Sequence, residues 1–421
     1  MPETPPSTTN SSAEGPNPSL PRIIKPWAIG GAIVLLLGIL LLIFNPFRKS
    51  PDERALSELG FIKGTCNDSN TSTATPDSEC LALRAKPTMT ASQVAAALPH
   101  LKNSDRKIEL NLGGTQIDNL DSLKGLDDLE SLDLTDTPVW NIDALKEMHS
   151  LKRLVLHRTE VENIAALKGL TGLQSLNLWD TRVSNLDALK NLRDLRELDL
   201  RDTQVRDLNP LEDLPHLETL KLGGARNVRN VDALSQLAAL QTLDLNETQV
   251  DSISALKKLP GLQALYLANT PLRDIDALKG MSSLRTLVLD GSKVDDIDAA
   301  QGMLQLNTLV LARTQVTNID ALKGLTRLQR LNLADTRVEN IEALTDLKSL
   351  RMLNLFRTRV RNIDPLRGLT GLQELYLANT PVEDVDALKG LTGLRELVLY
   401  GTQARNVDDL KAALPKTRIV W

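Results

Sequence analysis

The segment Leu173–Asp194 reads LQSLNLWDTRVSNLDALKNLRD, and it shows the unit from which most of this chain is built. In general form the unit is L-x-x-L-x-L-x-x-T-x-V-x-N-I-D-A-L-K-G-L-T-G, and it recurs every 22 residues from Lys107 onward. The leading leucine stands at positions 129, 151, 173, 195, 217, 240, 262, 284, 306, 328, 350, 372 and 394. The interval 217–240 is one residue longer, with Gly223-Gly224-Ala225-Arg226-Asn227 in place of the usual turn. A period in the twenties with this leucine spacing predicts a stack of repeated coils.

The first six residues of each unit predict a short strand. In Leu372–Leu377 (LQELYL), alternate residues should point to opposite faces of a sheet. Leu375 and Leu377 then point into the coil, whereas Glu374 and Tyr376 point outward. The pattern therefore predicts one strand per coil, with its leucines in a common core.

Two polar positions of the unit have structural explanations. A threonine stands where each coil must turn sharply, and Ser292 and Ala225 replace it in two coils. This threonine occupies positions 115, 137, 159, 181, 203, 248, 270, 314, 336, 358, 380 and 402. We expect its hydroxyl to form hydrogen bonds with buried backbone groups of the neighbouring coils, so that the threonines form a ladder along the stack. An aspartate such as Asp143 or Asp187 precedes the A-L-K-G-L stretch and predicts the N-cap of a short helical turn on the convex side.

A single coil buries too little apolar surface to offset its loss of conformational entropy, so the coils must stack and both ends need caps. Thr90-Ala91-Ser92-Gln93 is a capping-box pattern, which predicts the start of a cap helix that ends at Pro99. Lys416–Trp421 begins another coil in register, and we expect Ile419 and Trp421 to point inward with Trp421 covering the last core layer. We expect no catalytic or signalling domain after it.

These features resemble the bacterial leucine-rich repeats of the internalin-like class, which share the 22-residue period and the N-I-x-x-L-x-x-L convex phrase. The resemblance covers roughly residues 107–421. It implies an α/β repeat fold, a right-handed leucine-rich-repeat solenoid shaped as a horseshoe or arc, with a parallel sheet on its concave side. We assign 14 coils and a C-terminal cap to residues 107–421. This chain differs in having threonine where internalin-like proteins usually have asparagine, and in lacking the immunoglobulin-like module and cell-wall anchor that many of them carry.

The N-terminal region predicts a disordered tail and a membrane anchor. Residues 1–22 are rich in proline, serine, threonine and asparagine and cannot bury enough surface to fold. Trp27–Phe44 is uncharged and apolar, and with its flanks at 26–47 it is long enough to span a bilayer as one transmembrane helix. We assign 23–48 to this anchor and 49–106 to a linker and N-terminal cap. A cleaved signal peptide is the alternative, but NPFRKSP follows the apolar run and offers no small-residue cleavage site.

The only two cysteines, Cys66 and Cys80, flank a loop of polar residues. A disulfide between them would hold this loop closed and would persist only in an oxidising compartment. Two spare buried thiols are the alternative. The basic residues on both sides of the apolar run do not decide its orientation. The cysteines therefore place the repeat domain outside the cytoplasm, in the periplasm or at the cell surface.

Composition and motifs do not favour catalysis or nucleic-acid binding. The formal net charge is only −5 over 421 residues, which argues against a partner bound through bulk charge. Among the four histidines only His157 falls on the strand face, and no two share metal-ligand spacing. Gly223-Gly224 is not part of a phosphate-loop motif. We therefore expect no enzyme activity, no catalytic residue, no cofactor and no metal site.

The outward strand positions are not dictated by the repeat, so their residues are free to serve binding. One column of them runs from polar residues such as Asp133 and Asp199 to apolar and aromatic ones from Tyr266 onward. Aromatic anchors in a polar surround are typical of protein interfaces. Neighbouring strands are about 4.8 Å apart, so these side chains could merge into one patch. The residues that we predict to bind ligand are Trp179, Tyr266, Val288, Val310, Phe356, Tyr376, Val398 and Tyr400.

Two classes of function fit this sequence. The favoured one is a membrane-anchored recognition module that binds a protein or peptide on the concave face. The other is a structural or assembly scaffold of the cell envelope, for which the concave face is incidental. Glycan binding is a lesser version of the first, since aromatic rings beside asparagine and aspartate also suit sugars.

Overall fold

The computed structural model of the chain describes residues 51–66, 80–102 and 106–421. The predicted tail at 1–22 and the predicted membrane segment at 23–48 lie outside these ranges. Within the described ranges, no helix combines the length and the apolar character needed to cross a bilayer.

Seventeen short strands in the described part of the chain form one sheet. The first strand pairs antiparallel with the second, and every later strand pairs parallel with the strand before it. The strands are β1 Phe61–Lys63, β2 Cys80–Ala85, β3 Lys107–Asn111, β4 Leu129–Asp133, β5 Arg153–Val155, β6 Ser175–Asn177, β7 Glu197–Asp199, β8 Thr219–Lys221, β9 Thr242–Asp244, β10 Ala264–Tyr266, β11 Thr286–Val288, β12 Thr308–Val310, β13 Arg330–Asn332, β14 Met352–Asn354, β15 Glu374–Tyr376, β16 Glu396–Val398 and β17 Arg418–Val420.

Helical elements lie on the side of each coil opposite its strand. Three α-helices are described: α1 Pro51–Leu59, α2 Ala91–Lys102 and α3 Val407–Ala413. The repeats themselves contain short 3-10 helices at Asp121–Leu123, Asp143–Leu145, Ala165–Gly169, Asp187–Leu189, Asn209–Leu211, Asp232–Gln236, Ser254–Lys258, Asp276–Leu278, Asp298–Ala300, Asp320–Leu322, Glu342–Leu344, Asp364–Leu366 and Asp386–Leu388.

The 22-residue period places equivalent residues side by side. Leu176 of β6 lies opposite Leu198 of β7, and the same pairing of central leucines continues along the repeats. These leucines are buried and join one continuous core. The parallel-strand leucine-rich-repeat solenoid predicted from the sequence is confirmed. The 14 predicted strands correspond to β3–β16; β17 extends the sheet in register, while β1 and β2 have no counterpart among the predicted strands.

The longer coil at 217–239 does not interrupt the sheet. Lys221 of β8 lies opposite Asp199 on one side and Asp244 on the other, so the register is intact. The extra residue falls in the turn after the strand. There Gly224 has a φ of 78°, and a Cβ at this position would collide with the Asp202 side chain. Glycine is therefore required at this turn by both conformation and space.

The repeated threonine closes the turn of its own coil. The Thr336 hydroxyl donates to the carbonyl of Leu333 at 2.6 Å, and the Thr336 backbone N–H donates to the same carbonyl at 3.3 Å. Equivalent hydroxyl bonds, of 2.6–2.8 Å, recur at positions 115, 137, 159, 181, 203, 248, 270, 314, 358, 380 and 402. The predicted ladder between coils is wrong, because the hydroxyl bends back to the carbonyl three residues earlier.

The residue before this threonine adopts a left-handed backbone in coil after coil. Ten of these residues are not glycine, with φ between 54° and 57°, and they are Asp136, Arg158, Asp180, Asp202, Glu247, Asn269, Arg313, Asp335, Arg357 and Asn379. A left-handed conformation costs a non-glycine residue roughly 1–2 kcal/mol. Six of the ten are aspartate or asparagine, which tolerate this conformation. At the other four, three arginines and one glutamate, the threonine bonds and the stacking of neighbouring coils hold a backbone turn that the residue disfavours.

A matched pair of substitutions tests the role of this hydroxyl. Thr336→Val should lower the free energy of unfolding by about 1 kcal/mol, since it removes one intramolecular hydrogen bond at nearly constant volume. Ser292→Ala should change it by under about 0.5 kcal/mol, because the buried Ser292 hydroxyl has no hydrogen-bond partner. Chemical denaturation of both variants provides the measurement. Equal losses in the two variants would show that the hydrogen bond from the Thr336 hydroxyl to the Leu333 carbonyl does not contribute to stability.

The aspartate that recurs in the unit is not an N-cap. Asp143 is the first residue of its 3-10 helix, and the position before it is Ile142. The actual capping side chain lies two residues upstream, where Asn141 Oδ1 accepts the Asp143 backbone N–H at 2.8 Å. Two coils further on, Asn185 Oδ1 accepts the Asp187 backbone N–H in the same way at 2.7 Å, and the Asp187 carboxylate pairs with Lys190 at 2.8 Å. The hydrogen bond from Lys190 lowers the pKa of Asp187. The predicted N-cap role of the aspartate is therefore wrong.

The N-terminal cap consists of α1, β1, β2 and α2. The Thr90 backbone N–H donates to Gln93 Oε1 at 2.9 Å, which is one half of the predicted capping box. However, α2 does not end at Pro99; it continues to Lys102. The missing N–H of Pro99 removes a single bond near the helix end, while Leu101 remains fully buried beyond it and holds the last turn in place.

Cys66 and Cys80 are joined by a disulfide, with an S–S distance of 2.07 Å and a Cα–Cα distance of 6.4 Å. Cys80 is the first residue of β2, and Cys66 follows β1 closely in the chain. The residues between the two cysteines, 67–79, lie outside the described ranges. The bond therefore links the chain that follows β1 directly to the strand that pairs with β1.

The C-terminal cap differs from the prediction. Trp421 is 56% exposed and does not cover the core. The reason is that β17 ends at Val420, so the inward alternation that places Ile419 against the core does not extend to the tryptophan. Helix α3 takes the place of the 3-10 helix of the last coil, and its Val407 and Leu410 side chains are buried.

Candidate ligand-binding face

The outward side chains of the strands form three rows, which together we call the strand face. The first row contains Glu374 and its equivalents, the second row contains Tyr376, and the third row contains Ala378, two residues further on. Because the strands pair in register, equivalent residues of neighbouring coils are adjacent within each row. The spacing along a row is about 4.8 Å.

The third row of the N-terminal half contains a stack of three flat side chains. The rings of His157 and Trp179 have centroids 4.1 Å apart and planes inclined by 18°. The Arg201 guanidinium carbon lies 4.0 Å from the Trp179 ring centroid. His157 and Arg201 belong to the coils before and after Trp179, so they cover opposite faces of the indole. The Trp179 Nε1–H donates to Asp202 at 2.9 Å.

Both faces of Trp179 are thus occupied by its own chain, and its N–H is bonded. The structure places Trp179 on the strand face, as predicted, but two residues after β6, well apart from the other predicted ligand-binding residues, which begin in β10. The sequence contained the signal for this stack, since His157, Trp179 and Arg201 are separated by 22 residues each.

Charged groups beside the stack pair with each other. Arg201 donates to both carboxylate oxygens of Asp199 at 2.6–3.1 Å, and the Lys221 ammonium lies 3.9 Å from the same carboxylate. The hydrogen bond with Asp199 raises the pKa of Arg201. Two strands after Asp199, burial raises the pKa of Asp244 above its usual value. The N-terminal half of the strand face is therefore largely satisfied by its own ion pairs.

Asparagine and aspartate in the second row have a structural role that is not apparent from the repeat. Asn332 Oδ1 accepts the backbone N–H of Ala334 at 3.0 Å, and Asn354 Oδ1 accepts that of Phe356 at 2.9 Å. The same bond is made by Asp133 to the Thr135 N–H at 2.9 Å. These side chains cap the backbone as the chain leaves the strand.

The predicted apolar column is divided into two groups. Tyr266, Val288 and Val310 lie side by side in register on β10–β12. Two asparagines, on β13 and β14, follow them. Tyr376 and Val398 then form the second group on β15 and β16. The residues predicted to merge into one patch therefore form two smaller ones, with polar amides between them.

A carboxylate pair surrounds the Tyr376 hydroxyl. This hydroxyl lies 3.4 Å from Glu374 Oε2 and 3.3 Å from Glu396 Oε2, and the two glutamates face each other across β15 and β16. Burial raises the pKa of Tyr376, and the negative charges of the two glutamates raise it further. Arg418 pairs with Glu396 at 2.9 Å.

The third row of the C-terminal half brings Phe356, Ala378 and Tyr400 together on consecutive coils. Tyr400 is 46% exposed, whereas Ala378 is buried at 1%. The Arg357 guanidinium carbon lies 4.9 Å from the Phe356 ring centroid, and Arg357 also pairs with Asp335 at 3.6 Å. Phe356 and Tyr400 were predicted as binding residues from the sequence, whereas Ala378 between them was not.

Among the described residues, the one group with metal-ligating side chains close enough to share an ion is Cys66, Cys80 and Glu109. The two sulfurs are bonded to each other, so this group does not offer the thiolates that a soft metal requires.

Comparisons with known proteins agree with the repeat architecture. A family model for leucine-rich repeats, in two copies, matches residues 238–280, 326–368 and 348–390. No curated protein sequence matches the chain. The solved structure of an internalin (InlF) from Listeria monocytogenes is 23% identical, covers 82% of this chain and 92% of its own, and has a TM-score of 0.61.

Two further solved structures are similar to this chain. A leucine-rich-repeat protein of Leptospira interrogans is 21% identical over 77% of this chain and 92% of its own, with a TM-score of 0.68. The functional domain of InlJ from Listeria monocytogenes, which includes a cysteine ladder, is 18% identical over 73% of this chain and 70% of its own, with a TM-score of 0.61. These similarities show a shared fold with bacterial internalin-like leucine-rich-repeat proteins.

Proposed function

We propose that this chain, which has the solenoid fold of bacterial internalin-like leucine-rich-repeat proteins, is a recognition module that binds a protein or peptide ligand on its strand face. The observation that carries the proposal is the set of aromatic side chains on the C-terminal half of that face. Phe356, Tyr376 and Tyr400 occupy outward positions that the solenoid does not need for its core. Binding, rather than catalysis, is the activity that this arrangement supports.

The contrast between the two halves of the strand face supports this location. In the N-terminal half, the rings and charges are engaged with each other, as in the stack on Trp179. In the C-terminal half, Tyr400 is nearly half exposed, and Tyr266 and Tyr376 are partly exposed beside valines. Partly exposed aromatic anchors within a polar surround provide large contact area at low entropic cost when a partner covers them.

We also propose that the chain is anchored in a membrane through residues 26–47, with the repeats in the periplasm or at the cell surface. The apolar run supports the anchor, and the disulfide supports an oxidising compartment. Protease added to intact spheroplasts should then digest the repeats. Protection of the repeats with cleavage confined to residues 1–22 would contradict this orientation, as would alkylation of both thiols without reductant.

Site-specific photocrosslinking tests ligand binding on the strand face. A photoreactive phenylalanine replaces Val398 on the strand face in one variant and exposed Lys323 on the opposite side in another. In cells that express the full chain, a discrete crosslinked partner should form from position 398 but not from position 323, and Tyr376→Ala should reduce its yield. Equal crosslinking from both positions, or crosslinking from position 323 alone, would contradict the proposed face.

A further inference from the structure

We propose that one edge of the solenoid binds an extended acidic segment of a protein partner, through a row of basic side chains and a groove beside them. This edge lies where each coil enters its strand. In each coil it consists of the two residues before the leading leucine and the two residues after it. Over the coils of β9–β14, whose leading leucines stand at positions 240, 262, 284, 306, 328 and 350, we call these positions the edge strip. The inference goes beyond the proposed function, because it does not depend on the aromatic rings of the strand face.

The edge strip carries only positive charge. It contains five basic residues and no carboxylate. The basic residues are Arg285, Arg327, Arg330, Lys348 and Arg351. All five are exposed, and none of them forms an ion pair within the described part of the chain. Their charges are therefore available to a partner.

The equivalent positions of the five preceding coils are different. Around the leading leucines at positions 129, 151, 173, 195 and 217 they hold six carboxylates and four basic residues. Charges there pair between neighbouring coils, since Lys152 lies 2.8 Å from Glu130 and Arg196 lies 2.6 Å from Glu218. The repeat thus allows the charges of this edge to compensate each other, and in the edge strip they do not.

Carboxylates that border the edge strip do not neutralise it either. These carboxylates belong to Glu218, Asp244, Asp346 and Glu374. Among the described residues, none of the four forms an ion pair with a basic residue of the strip, and Glu218 is engaged with Arg196. The potential along the strip is therefore positive, which attracts a partner of opposite charge.

A groove of about 600 Å³ follows the first four coils of the strip. Small residues such as Ala239 and Gly261 leave the space for it, and longer side chains, among them Arg285 and Gln305, line it. The Arg327 guanidinium donates to Gln305 Oε1, which brings a second basic group to the groove. Four coils span three strand spacings, or about 14 Å, which is the length of about four residues of extended chain.

Glutamine amides in this groove suit the backbone of a bound peptide. Gln263 Nε2–H donates to Gln241 Oε1 at 3.2 Å, so the two amides are linked across neighbouring coils. Among the described residues, Gln263 Oε1 and the Gln241 amide N–H groups have no hydrogen-bond partner. They offer an acceptor and donors to an extended chain, while the guanidinium groups of the strip can bind its carboxylates in a bidentate manner.

The composition of the strip favours an acidic peptide over other anions. Leu304 is 57% exposed within the strip, and it offers an apolar contact that a polyphosphate or a sulfated sugar does not need. The strip contains no aromatic residue, whereas single-stranded nucleic acids bind by stacking their bases on aromatic side chains. A peptide with acidic and apolar side chains uses the arginines, the groove and the leucine together.

Charge reversal tests the edge strip. The probe is a fluorescent peptide of about seven residues that alternates glutamate and leucine, long enough to follow the strip, and its anisotropy is titrated with the full chain at low salt. Arg285→Glu should weaken its binding about tenfold, because a repulsion replaces an attraction at the groove. Arg395→Glu is the matched control, since Arg395 is exposed and has the same position in its coil but lies outside the strip. It should change the affinity less than about twofold. Equal losses from the two variants would overturn the inference, as would equal binding of a peptide with glutamine in place of glutamate.

A neutral substitution separates the groove from the charge. Ser283→Phe fills the groove without a change of charge, whereas Ser349→Phe places the same ring at the equivalent position of the β14 coil, outside the groove. The first variant should bind the peptide at least about fivefold more weakly than the second. Heparin serves as the competing polyanion. If heparin binds more tightly than the peptide and equally well to both variants, the strip is a general polyanion surface and the proposed peptide ligand is wrong.

The two proposals fail in different ways. If the crosslinked partner forms from position 398 but the acidic peptide does not bind the edge strip, the recognition function stands and the acidic-segment inference is wrong. If the peptide binds and Arg285→Glu releases it, but no partner crosslinks to the strand face, the edge strip stands and the proposed function of the strand face is wrong.

Discussion

Leu375→Ala is expected to lower the free energy of unfolding by about 2–5 kcal/mol, whatever the protein binds. Leu375 is fully buried and lies in register between Leu353 and Leu397 of the neighbouring strands. Removing its side chain leaves a cavity that the two flanking coils cannot fill, because their own leucines are held by the same ladder. Chemical denaturation of the full chain, compared with the wild type, measures the loss.

Gln373→Ala is the matched control, because Gln373 is two residues away and only partly buried. Its backbone bonds to the neighbouring coil do not need the side chain, so the expected change is within about 0.5 kcal/mol. Similar effects of the two substitutions would show that the loss at Leu375 does not come from its burial in the core.

Tyr400→Ala is expected to separate binding from stability. Since Tyr400 is 46% exposed, its loss should change the free energy of unfolding by under about 1 kcal/mol. If the aromatic patch is the centre of the interface, the same substitution should weaken binding of the crosslinked partner by at least about 2 kcal/mol, or roughly 30-fold in dissociation constant. A thermal melt and a binding titration of the purified pair provide the two measurements.

The control for this prediction must preserve a backbone bond. Asp133 lies on the N-terminal half of the strand face, but its carboxylate accepts hydrogen bonds from the Thr135 N–H at 2.9 Å and the Thr135 hydroxyl at 2.6 Å. An alanine there would disturb the turn, so Asp133→Asn, which keeps the acceptor oxygen, is the appropriate control. It removes the oxygen that accepts from Asn111 Nδ2 at 2.9 Å, so it should lower the free energy of unfolding by about 1 kcal/mol and should change binding by no more than about 0.5 kcal/mol. A Tyr400→Ala variant that melts like Leu375→Ala would show that the ring is structural. One that melts and binds normally would place the ligand elsewhere.

The period of the leucines was sufficient to predict the strands, their parallel order and the core. A strand position such as Leu375 is determined by alternation and by its neighbours 22 residues away, and both are readable in the sequence. The direction of a polar side chain is not. The position of Thr336 in a tight turn was predictable, but whether its hydroxyl would bond to its own coil or to the next depends on rotamer and distance.

The ends of the solenoid and the strand face were predicted less well for a different reason. Pro99 and Trp421 lie at the two ends of the repeats, where the 22-residue pattern no longer determines which side chains surround a residue. Their structure was therefore predicted from local sequence rules alone. A buried leucine after Pro99 outweighed the helix-breaking tendency of proline, and β17 ended one residue before the tryptophan, which is exposed. On the strand face, the sequence predicted which residues point outward. Their pairing, as in the stack on Trp179, depends on which flat groups meet across strands.

The pairing of each repeat strand only with its immediate neighbours has a mechanical consequence. A tether that pulls on one end of the solenoid loads the terminal coil alone, because that coil shares its hydrogen bonds and leucine contacts with a single neighbour. Each detached coil releases 22 residues, or about 70–80 Å of extended chain at 3.3–3.6 Å per residue. Under tension the protein should therefore lengthen in steps of this size, while coils further along keep their fold and any ligand held on them.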